Sequence, residues 1–436
     1  MSHQKSYNNS FILLTVLFFL WGFITVLVDS LIPRLRELFT LSYFQAGLVQ
    51  FAFFGAYFLL SIPASYILSK IGYKKGIILG LLTMATGCLL FYPAASYRIF
   101  GIFMLAYFIL AGGITILQVA ANPFVAGLGS ESGASSRLNL SQAFNSLGTA
   151  IAPAVGALFI LSDTIKTKDE IAALTETAKA TYLATEASAV QMPFLGLALF
   201  IGLIALIFIF AKLPTLINET SSGTYATAFK HKNLMLGVLG IFFYVGAEVA
   251  IGSYLVNYFL DMNLVAIIKA NGIMKSIAEG ILNSGLADSD NKAIVGVFVT
   301  FYWSGAMIGR FIGSYLTKIM KPGKVLGIFA TCAILLILIS ISTTGLISMW
   351  SILAVGLFNS IMFPTIFTIS IDGLNDLKPK ASGLLCTAIV GGALIPPLYG
   401  FFTDFIGFKN ALFFIIACYT YILFFGYINY KKTSYA

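Results

Sequence analysis

The sequence predicts an all-α membrane protein whose twelve transmembrane helices form two pseudo-symmetric six-helix bundles. Three observations support this prediction. The composition is too apolar for a water-facing surface, the apolar residues form long continuous runs, and motifs of the first half of the chain return in the second half.

Composition excludes the soluble classes of protein. Apolar residues make up 59% of the 436 residues and charged residues only 10%, whereas a soluble domain carries about 25% charge. The mean hydropathy is +0.93. An intrinsically disordered chain is excluded as well, because disorder needs low hydrophobicity and high net charge.

The net charge of +9 does not indicate a nucleic-acid partner. The 26 basic residues are scattered, with no run longer than two, so we expect them to orient the chain in the bilayer. The four cysteines lie inside apolar runs without a CxxC pair, and the two histidines lie in polar segments. We therefore expect neither a metal site nor a cofactor.

Each predicted span holds roughly 20 mostly apolar residues, the length that crosses the hydrocarbon core of a bilayer. Continuous runs of this length indicate helices, because barrel strands alternate apolar and polar residues over about ten positions. The twelve spans lie near 11–33, 44–69, 76–93, 98–125, 138–161, 190–211, 234–259, 293–317, 324–345, 348–371, 381–402 and 408–430.

A polar segment separates the sixth span from the seventh. We therefore predict an N-terminal six-helix bundle at 1–212, a cytoplasmic linker at 213–233 and a C-terminal six-helix bundle at 234–436. With the N-terminus inside, sixteen of the 26 Lys and Arg residues fall on the inner side. The positive-inside rule then predicts that both termini lie in the cytoplasm.

The two halves share motifs at a nearly constant offset. Two six-helix halves that repeat in parallel are the plan of a large class of secondary transporters. The basic segment 69–75 after the second span resembles the inner-loop signature of that class, with Ser69 in place of an aspartate. The matches 244 residues apart are Gly148 with Gly392, Pro153 with Pro397, and Gly156 with Gly400.

Two carboxylates lie well within the predicted spans. A charge at membrane depth costs about 2.5–3.5 kcal/mol, so such residues are functional candidates. Asp29 lies in the outer third of the first span, and Glu248 lies near the middle of the seventh, with Tyr244 one turn before it. We interpret both carboxylates as proton-coupling residues; a rim aspartate and a neutral glutamic acid at a helix interface are the alternatives. Arg310, at the inner end of the eighth span, is interpreted as a gating or structural residue.

Uncharged polar residues within the spans favour a neutral, hydroxyl-rich substrate. An amide both donates and accepts hydrogen bonds, as a sugar hydroxyl does, and aromatic faces pack on the C–H face of a sugar ring. The middle of the spans contains no Lys or Arg, which argues against an anionic substrate. The predicted substrate-binding residues are Gln118, Asn122, Gln142, Asn145, Tyr244, Glu248, Trp303 and Asn359.

The sequence resembles the fucose/glucose/galactose–proton symporter family of the major facilitator superfamily over nearly its whole length. The resemblance implies a secondary transporter that imports a hexose together with a proton by alternating access. The matching segments are 21–23, 29–33, 44–48, 120–124, 137–140, 142–146, 244–247, 309–311, 363–367 and 389–392.

The resemblance also implies roles for individual residues. In the fucose-transporting members, an aspartate in the first span and a glutamate in the fourth span carry coupling and recognition. The aspartate matches Asp29, whereas the glutamate position holds Gln118. Glu248 stands near a position where the fucose type has a glutamine. The resemblance therefore points to the glucose/galactose branch, with the second carboxylate moved from the fourth span to the seventh.

Several alternatives stay open. Glucose, galactose, mannose and N-acetylglucosamine all fit an amide-lined pocket, and sodium is the alternative co-transported ion. A sugar facilitator, a drug exporter and a non-transporting sensor are further alternatives. A membrane enzyme is disfavoured, because the sequence shows no set of nucleophile, base and acid. We expect a monomer in a bacterial inner membrane whose partners are the lipid bilayer, a monosaccharide and a proton.

Overall fold

The computed structural model describes residues 2–38, 43–159, 173–216, 223–287 and 289–432, and these residues are helical with no strand among them. They form two compact units, each built mostly from one half of the sequence. Unit 1 comprises Met1–Glu131, Phe144–His231 and Ile371–Ala388, and unit 2 comprises Ser132–Ala143, Lys232–Ser370 and Ile389–Ala436.

The described residues of the first half form seven α-helices. They are α1 (Ser2–Leu38), α2 (Tyr43–Ile71), α3 (Tyr73–Tyr97), α4 (Phe100–Gly127), α5 (Ala134–Phe159), α6 (Glu176–Phe210) and the short α7 (Tyr225–Lys230).

The described residues of the second half form nine α-helices. They are α8 (Lys232–Asp261), α9 (Leu264–Ala270), α10 (Gly272–Leu282), α11 (Asn291–Ile319), α12 (Pro322–Ser342), α13 (Gly345–Asn359), α14 (Met362–Ile371), α15 (Lys378–Thr387) and α16 (Gly391–Lys432).

Ten segments of the described residues are long and apolar enough to cross a membrane. The last of them, Asn375–Lys431, is 57 residues long and contains both of the last two predicted spans. These two spans meet at Gly407, whose φ of 79° interrupts α16 and is a backbone conformation that glycine adopts without strain. The fifth predicted span is helical as α5 but is not among the ten. The ten segments are thus consistent with the twelve predicted spans.

Glycines bring the helices of unit 1 into close backbone contact. A Cβ on Gly80 of α3 would lie 2.9 Å from the backbone nitrogen of Leu117 on α4. In α5, Gly148 packs directly on the backbone of Phe19 in α1. Small residues at such crossings let helices pack tightly where lipid supplies no hydrophobic driving force. Gln118 follows the contact residue Leu117 by one position, and Asn145 precedes the contact residue Gly148 by three positions. The two crossings therefore fix where both amides lie.

Glycines have the same role in unit 2. Gly391 of α16 packs on the backbone of Phe242 in α8, and Gly309 of α11 packs on the backbone of Leu357 in α13. The first contact lies six residues before Glu248, and the second lies next to Arg310. These two crossings therefore position the only acidic and basic pair that the described part of unit 2 holds at membrane depth.

Each unit includes a short segment from the other half of the sequence. Residues 132–143, at the start of α5, belong to unit 2, and Ile371–Ala388 belongs to unit 1. Adding the 244-residue repeat offset to 132–143 gives 376–387, inside the second segment. The exchange therefore follows the internal repeat. The predicted bundle boundaries at 212 and 234 stay a prediction.

Polar groups hold the start of α5 within unit 2. Ser135 Oγ lies 2.6 Å from Thr368 Oγ1, Asn139 Nδ2 donates to Thr365 Oγ1 at 3.2 Å, and Ser314 Oγ donates to the carbonyl of Ser136 at 3.0 Å. All of these partners except Ser136 are buried. These contacts are made by hydroxyl groups, one side-chain amide and one backbone carbonyl.

The short helix α7 anchors the end of the predicted linker to α2 in unit 1. Tyr225 Oη donates to the carbonyl of Ile62 at 3.0 Å and contacts Ser65 Oγ. Burial raises the pKa of the Tyr225 phenol, so the phenol stays a neutral donor. The helix is capped by Thr224, whose side chain accepts a hydrogen bond from the backbone nitrogen of Thr227.

Candidate functional site

A carboxylate and a guanidinium meet inside unit 2. Arg310 Nη2 lies 4.0 Å from Glu248 Oε1, and the two side chains are only 15% and 13% exposed. The guanidinium also donates from Nε to the carbonyl of Ser360 at 3.1 Å and from Nη1 to the carbonyl of Gln142 at 3.5 Å. The sequence interpretation of Arg310 as an inner-end gating residue missed this contact. A pair of opposite charge has no net charge, so it costs less to bury than either group alone.

A second layer of polar side chains adjoins Glu248. Tyr302 Oη donates to the carbonyl of Glu248 at 3.3 Å, and Asn359 Nδ2 donates to Tyr302 Oη at 2.6 Å and to Tyr419 Oη at 3.3 Å. Tyr302, Asn359 and Tyr419 are all fully buried, and Tyr244, one turn before Glu248, is 1% exposed. The structure thus brings together three of the predicted residues, Glu248, Asn359 and Tyr244, around two tyrosines that the sequence did not single out.

Three oxygens of this cluster have no hydrogen-bond partner among the described residues. They are Glu248 Oε1, Asn359 Oδ1 and Tyr244 Oη, although Glu248 Oε1 lies at ion-pair distance from Arg310. A buried acceptor without a donor costs roughly 1–3 kcal/mol, and a ligand that brings a hydroxyl donor removes that cost. The cluster is therefore chemically suited to a polar ligand.

Trp303 lies beside this cluster and remains half exposed, at 48%. Its ring meets the ring of Tyr302 edge to face, with centroids 5.1 Å apart. It also covers Gly252 of α8, where a Cβ would lie 2.7 Å from Trp303 Cζ2. Gly252 follows Glu248 by one helical turn, so the indole is adjacent to the carboxylate along α8. Its open face can pack on an apolar ligand surface.

Unit 1 contains a second group of amides, on α4. Gln118 Nε2 donates to Tyr57 Oη at 2.8 Å. Gln118 Oε1 and both polar atoms of Asn122 have no hydrogen-bond partner among the described residues, and Asn122 is 0% exposed. Asn122 follows Gln118 by one turn, so both amides lie on one face of α4. Unpaired buried amides of this kind can accept from and donate to a sugar hydroxyl.

A proline frees a backbone carbonyl both near the amides of α4 and near Arg310. Proline has no N–H, so it leaves the carbonyl four residues earlier without its helical donor. Pro123 remains inside α4, and the carbonyl of Val119 accepts instead from Ser382 Oγ at 2.8 Å. Pro364 leaves the carbonyl of Ser360 free in the same way, and that carbonyl accepts from Arg310 Nε. Pro123 therefore does not break α4, because the Ser382 hydroxyl supplies a donor to the carbonyl of Val119.

Three of the predicted residues lie outside the two polar clusters described above or outside the described side chains. Asn145 Nδ2 donates to the carbonyl of Phe18 at 2.9 Å and lies against Gly22, so it joins α5 to α1. Gln142 is 7% exposed and belongs to unit 2, where its carbonyl accepts from Arg310. Asp29 lies in α1, but its side chain falls outside the described residues, and its role stays a prediction.

The long apolar helices, the repeat and the buried polar clusters define a multi-pass membrane transporter. Residues 10–388 match the Major Facilitator Superfamily. Because this match covers most of the sequence, the chain belongs to the Major Facilitator Superfamily.

Individual relatives agree with this assignment. The chain is 46% identical over 434 residues to the glucose/galactose transporter of Brucella abortus biovar 1 (strain 9-941), a match that covers 99% of this chain and 96% of the relative. It is 35% identical over 413 residues to the L-fucose-proton symporter of Escherichia coli (strain K12), which covers 93% and 89% of the two chains.

A solved structure extends the agreement to three dimensions. The crystal structure of the Major Facilitator Superfamily transporter FucP in the outward conformation superposes with a TM-score of 0.86 at 32% identity, and covers 97% of this chain and 99% of that one. The predictions of the family and of the fold class are confirmed by these matches.

Proposed function

We propose that this protein imports a neutral hexose of the glucose/galactose type together with a proton. The names of the 46% and 35% identical relatives support sugar transport and proton coupling respectively. The observation in the structure that carries the proposal is the buried cluster of Glu248, Arg310, Asn359 and Tyr302, which joins a titratable carboxylate to amide and phenol groups.

The substrate is expected to bind through hydroxyl groups. In unit 2, Glu248 Oε1 and Asn359 Oδ1 have no hydrogen-bond donor among the described residues, so each suits a hydroxyl group, and Trp303 offers an exposed aromatic face. In unit 1, Gln118 and Asn122 offer the same amide chemistry.

The sequence-based expectation of no Arg at mid-span depth needs a correction, because Arg310 reaches Glu248. Its guanidinium is paired with that carboxylate and with two carbonyls, so an anionic substrate would compete with a carboxylate already in place. A neutral sugar has no such competitor.

Accumulation of a neutral sugar requires energy from a co-transported ion. One charge that moves through 100 mV supplies about 2.3 kcal/mol, which corresponds to about a 50-fold gradient. We assign proton coupling to Asp29 and Glu248, with Asp29 as the residue that takes up and releases the proton during transport. Glu248 contributes to the sugar pocket with Tyr244.

The test is hexose uptake into proteoliposomes that contain the purified protein. An inward proton gradient and an inward sodium gradient are imposed in separate experiments. Under the proposal, radiolabelled glucose or galactose accumulates with the proton gradient alone, and a protonophore abolishes the accumulation. Accumulation with the sodium gradient alone would show that sodium, and not the proton, is the coupling ion. Equilibration without accumulation in either gradient would identify a facilitator, and no uptake of any hexose would exclude sugar transport.

The placement in the cell completes the proposal. We propose a multi-pass protein of the bacterial inner membrane, active as a monomer, with both termini in the cytoplasm. The distribution of Lys and Arg residues supports this orientation. The two bundles are expected at 1–212 and 234–436, joined by the cytoplasmic linker 213–233.

A further inference from the structure

Two helices of unit 2 cross at glycines near one membrane boundary. A Cβ on Gly323 of α12 would lie 2.7 Å from the backbone nitrogen of Tyr430 on α16, and a Cβ on Gly426 would lie 2.9 Å from the backbone nitrogen of Gly327. Gly323 and Gly327 form the small-xxx-small pattern that brings helices together in membranes. The crossing lies where α12 begins and α16 ends.

A groove of about 310 Å³ runs beside this crossing. Gly327 contributes to its floor, because it has no side chain there, and Ile328 and Leu423 line it with apolar groups. Lys324 and Tyr430 lie at the end near the membrane boundary. The volume is within the range of small-molecule sites, about 300–1,000 Å³, and no part of the proposed sugar pathway uses it.

The boundary end of the groove is positively charged. Lys324 is exposed, Lys321 Nζ lies 5.6 Å from the centre of the Tyr430 ring, and Lys431 Nζ lies 4.5 Å from that of Tyr427. The sequence contains no Asp or Glu between 311 and 371, nor after 404, so neither helix supplies a carboxylate near these lysines. The N-terminus of α12 adds the positive end of its helix dipole.

The groove opens on an apolar outer surface. Ile328 is 44% exposed and Tyr427 is 55% exposed, as is typical of side chains that face lipid and its interface. Along α12, Cys332 lines the groove eight residues after Lys324, which places it about 12 Å deeper at 1.5 Å per residue. A cationic end at the boundary followed by an apolar channel matches a lipid with an anionic headgroup.

We propose that this groove binds one anionic phospholipid, with the headgroup phosphate at Lys324, Lys321 and Lys431 and one acyl chain along Gly327 and Leu423. Basic pockets between transmembrane helices recognise anionic headgroups in this way. A phosphatidylethanolamine headgroup carries an ammonium group that the lysines repel. The groove should therefore bind an anionic phospholipid more tightly than phosphatidylethanolamine. The site is distinct from the sugar pocket and does not depend on the identity of the substrate.

The first test is native mass spectrometry of the full-length protein in detergent. Phosphatidylglycerol and phosphatidylethanolamine with identical acyl chains are compared at equal concentrations. Phosphatidylglycerol is expected to bind about tenfold more tightly. Lys324→Gln should weaken its binding about fivefold, in line with the attraction of one basic residue to an anionic lipid. Lys318→Gln removes the same charge from exposed Lys318 on α11 and should leave binding within twofold of the unaltered protein.

Gly327→Leu tests the apolar part of the groove. A Cβ at Gly327 meets only Leu423 Cδ1, at 3.8 Å, so a side chain there enters the groove without displacing backbone. This variant should lose the bound phosphatidylglycerol although all the lysines remain. Equal binding of the two lipids, or equal losses in Lys324→Gln and Lys318→Gln, would overturn the proposal.

Cys332 provides a second and independent measurement. It is partly exposed, whereas Cys88, Cys386 and Cys418 are buried, so a small alkylating reagent reports on the groove. Phosphatidylglycerol should slow alkylation of Cys332 at least threefold, and Lys324→Gln should remove this protection. Cys332→Ser identifies the modified residue. Glycerol phosphate without acyl chains should give no protection; full protection by glycerol phosphate would show that the apolar groove is not the binding site.

Discussion

Arg310 Nη2 lies 4.0 Å from Glu248 Oε1, and this contact joins α11 to α8 through two residues that are 62 positions apart in sequence. The pair is shielded from water, so removal of either charge leaves the other one buried without compensation. Breaking a buried pair costs roughly 3–5 kcal/mol, whereas removing both charges is often close to neutral.

The first prediction follows from this pairing. Arg310→Gln should lower the stability of the protein by about 3 kcal/mol, seen as a lower midpoint of thermal unfolding in detergent. The double variant Arg310→Gln/Glu248→Gln should unfold at a higher temperature than Arg310→Gln alone. If the double variant instead shows the sum of the two single losses, the two side chains do not stabilise each other.

The second prediction separates the two carboxylates by function. Asp29→Asn keeps the size of the side chain and imitates its protonated form. It should abolish sugar accumulation driven by a pH gradient and preserve sugar binding. Glu248→Gln should alter affinity or sugar preference, because Glu248 Oε1 has no hydrogen-bond donor among the described residues and Glu248 adjoins Tyr302 and Asn359.

Binding and pH-driven uptake are measured on both variants in the same proteoliposomes. Equal protein incorporation is the control. Accumulation by Asp29→Asn together with its loss in Glu248→Gln would reverse the assignment and make Glu248 the coupling residue.

The third prediction concerns the unpaired amides of α4. Asn122→Leu and Gln118→Leu remove three buried atoms that have no partner among the described residues, namely Gln118 Oε1, Asn122 Oδ1 and Asn122 Nδ2. If these atoms bind sugar hydroxyls, each substitution leaves a hydroxyl unpaired, which costs about 1–3 kcal/mol. The apparent affinity for hexose should then fall about 5- to 150-fold.

Competition by unlabelled hexose gives the affinity of each variant. Asn429→Leu is the matched control, because Asn429 is a buried amide that donates to the carbonyl of Phe425 within its own helix. Hexose affinity that stays unchanged in both α4 variants would place the sugar elsewhere.

The fourth prediction concerns the orientation of the chain. A reporter fused after Lys212 or at the C-terminus should be active on the cytoplasmic side, and one inserted within 165–185 should be active outside. This follows from the excess of Lys and Arg on one side. Alkaline phosphatase and green fluorescent protein fusions give complementary signals, and the opposite pattern would invert the predicted topology.

The fold was largely predictable because its signals are local. Spans are continuous apolar runs, and the repeat is a constant offset between glycines and prolines. The helices at all twelve predicted positions follow from these two patterns. The exchange of residues 132–143 and Ile371–Ala388 between the units was not predictable, because a hydropathy pattern marks where a helix lies and not which neighbours it contacts.

The candidate site was predictable only in part. The spacing of Tyr244 and Glu248 on one helix gave their proximity, but the contact of Arg310 with Glu248 depends on the crossing of α11 near α8. Tyr57, Tyr302 and Tyr419 were missed because the chain has 21 tyrosines, and a tyrosine within an apolar span is most simply explained as packing. What distinguishes these three is that their hydroxyls bond to the predicted residues Gln118 and Asn359.

The contacts at the start of α5 are of a kind that water can replace at low cost. Its contacts with Thr365 and Thr368 are hydroxyl and amide bonds, and each can be exchanged for a bond to water at a net cost of about 1 kcal/mol. An interlocked leucine surface would instead cost about 25 cal/mol for every Å² exposed. Water can therefore replace these particular contacts one at a time, at a small cost for each.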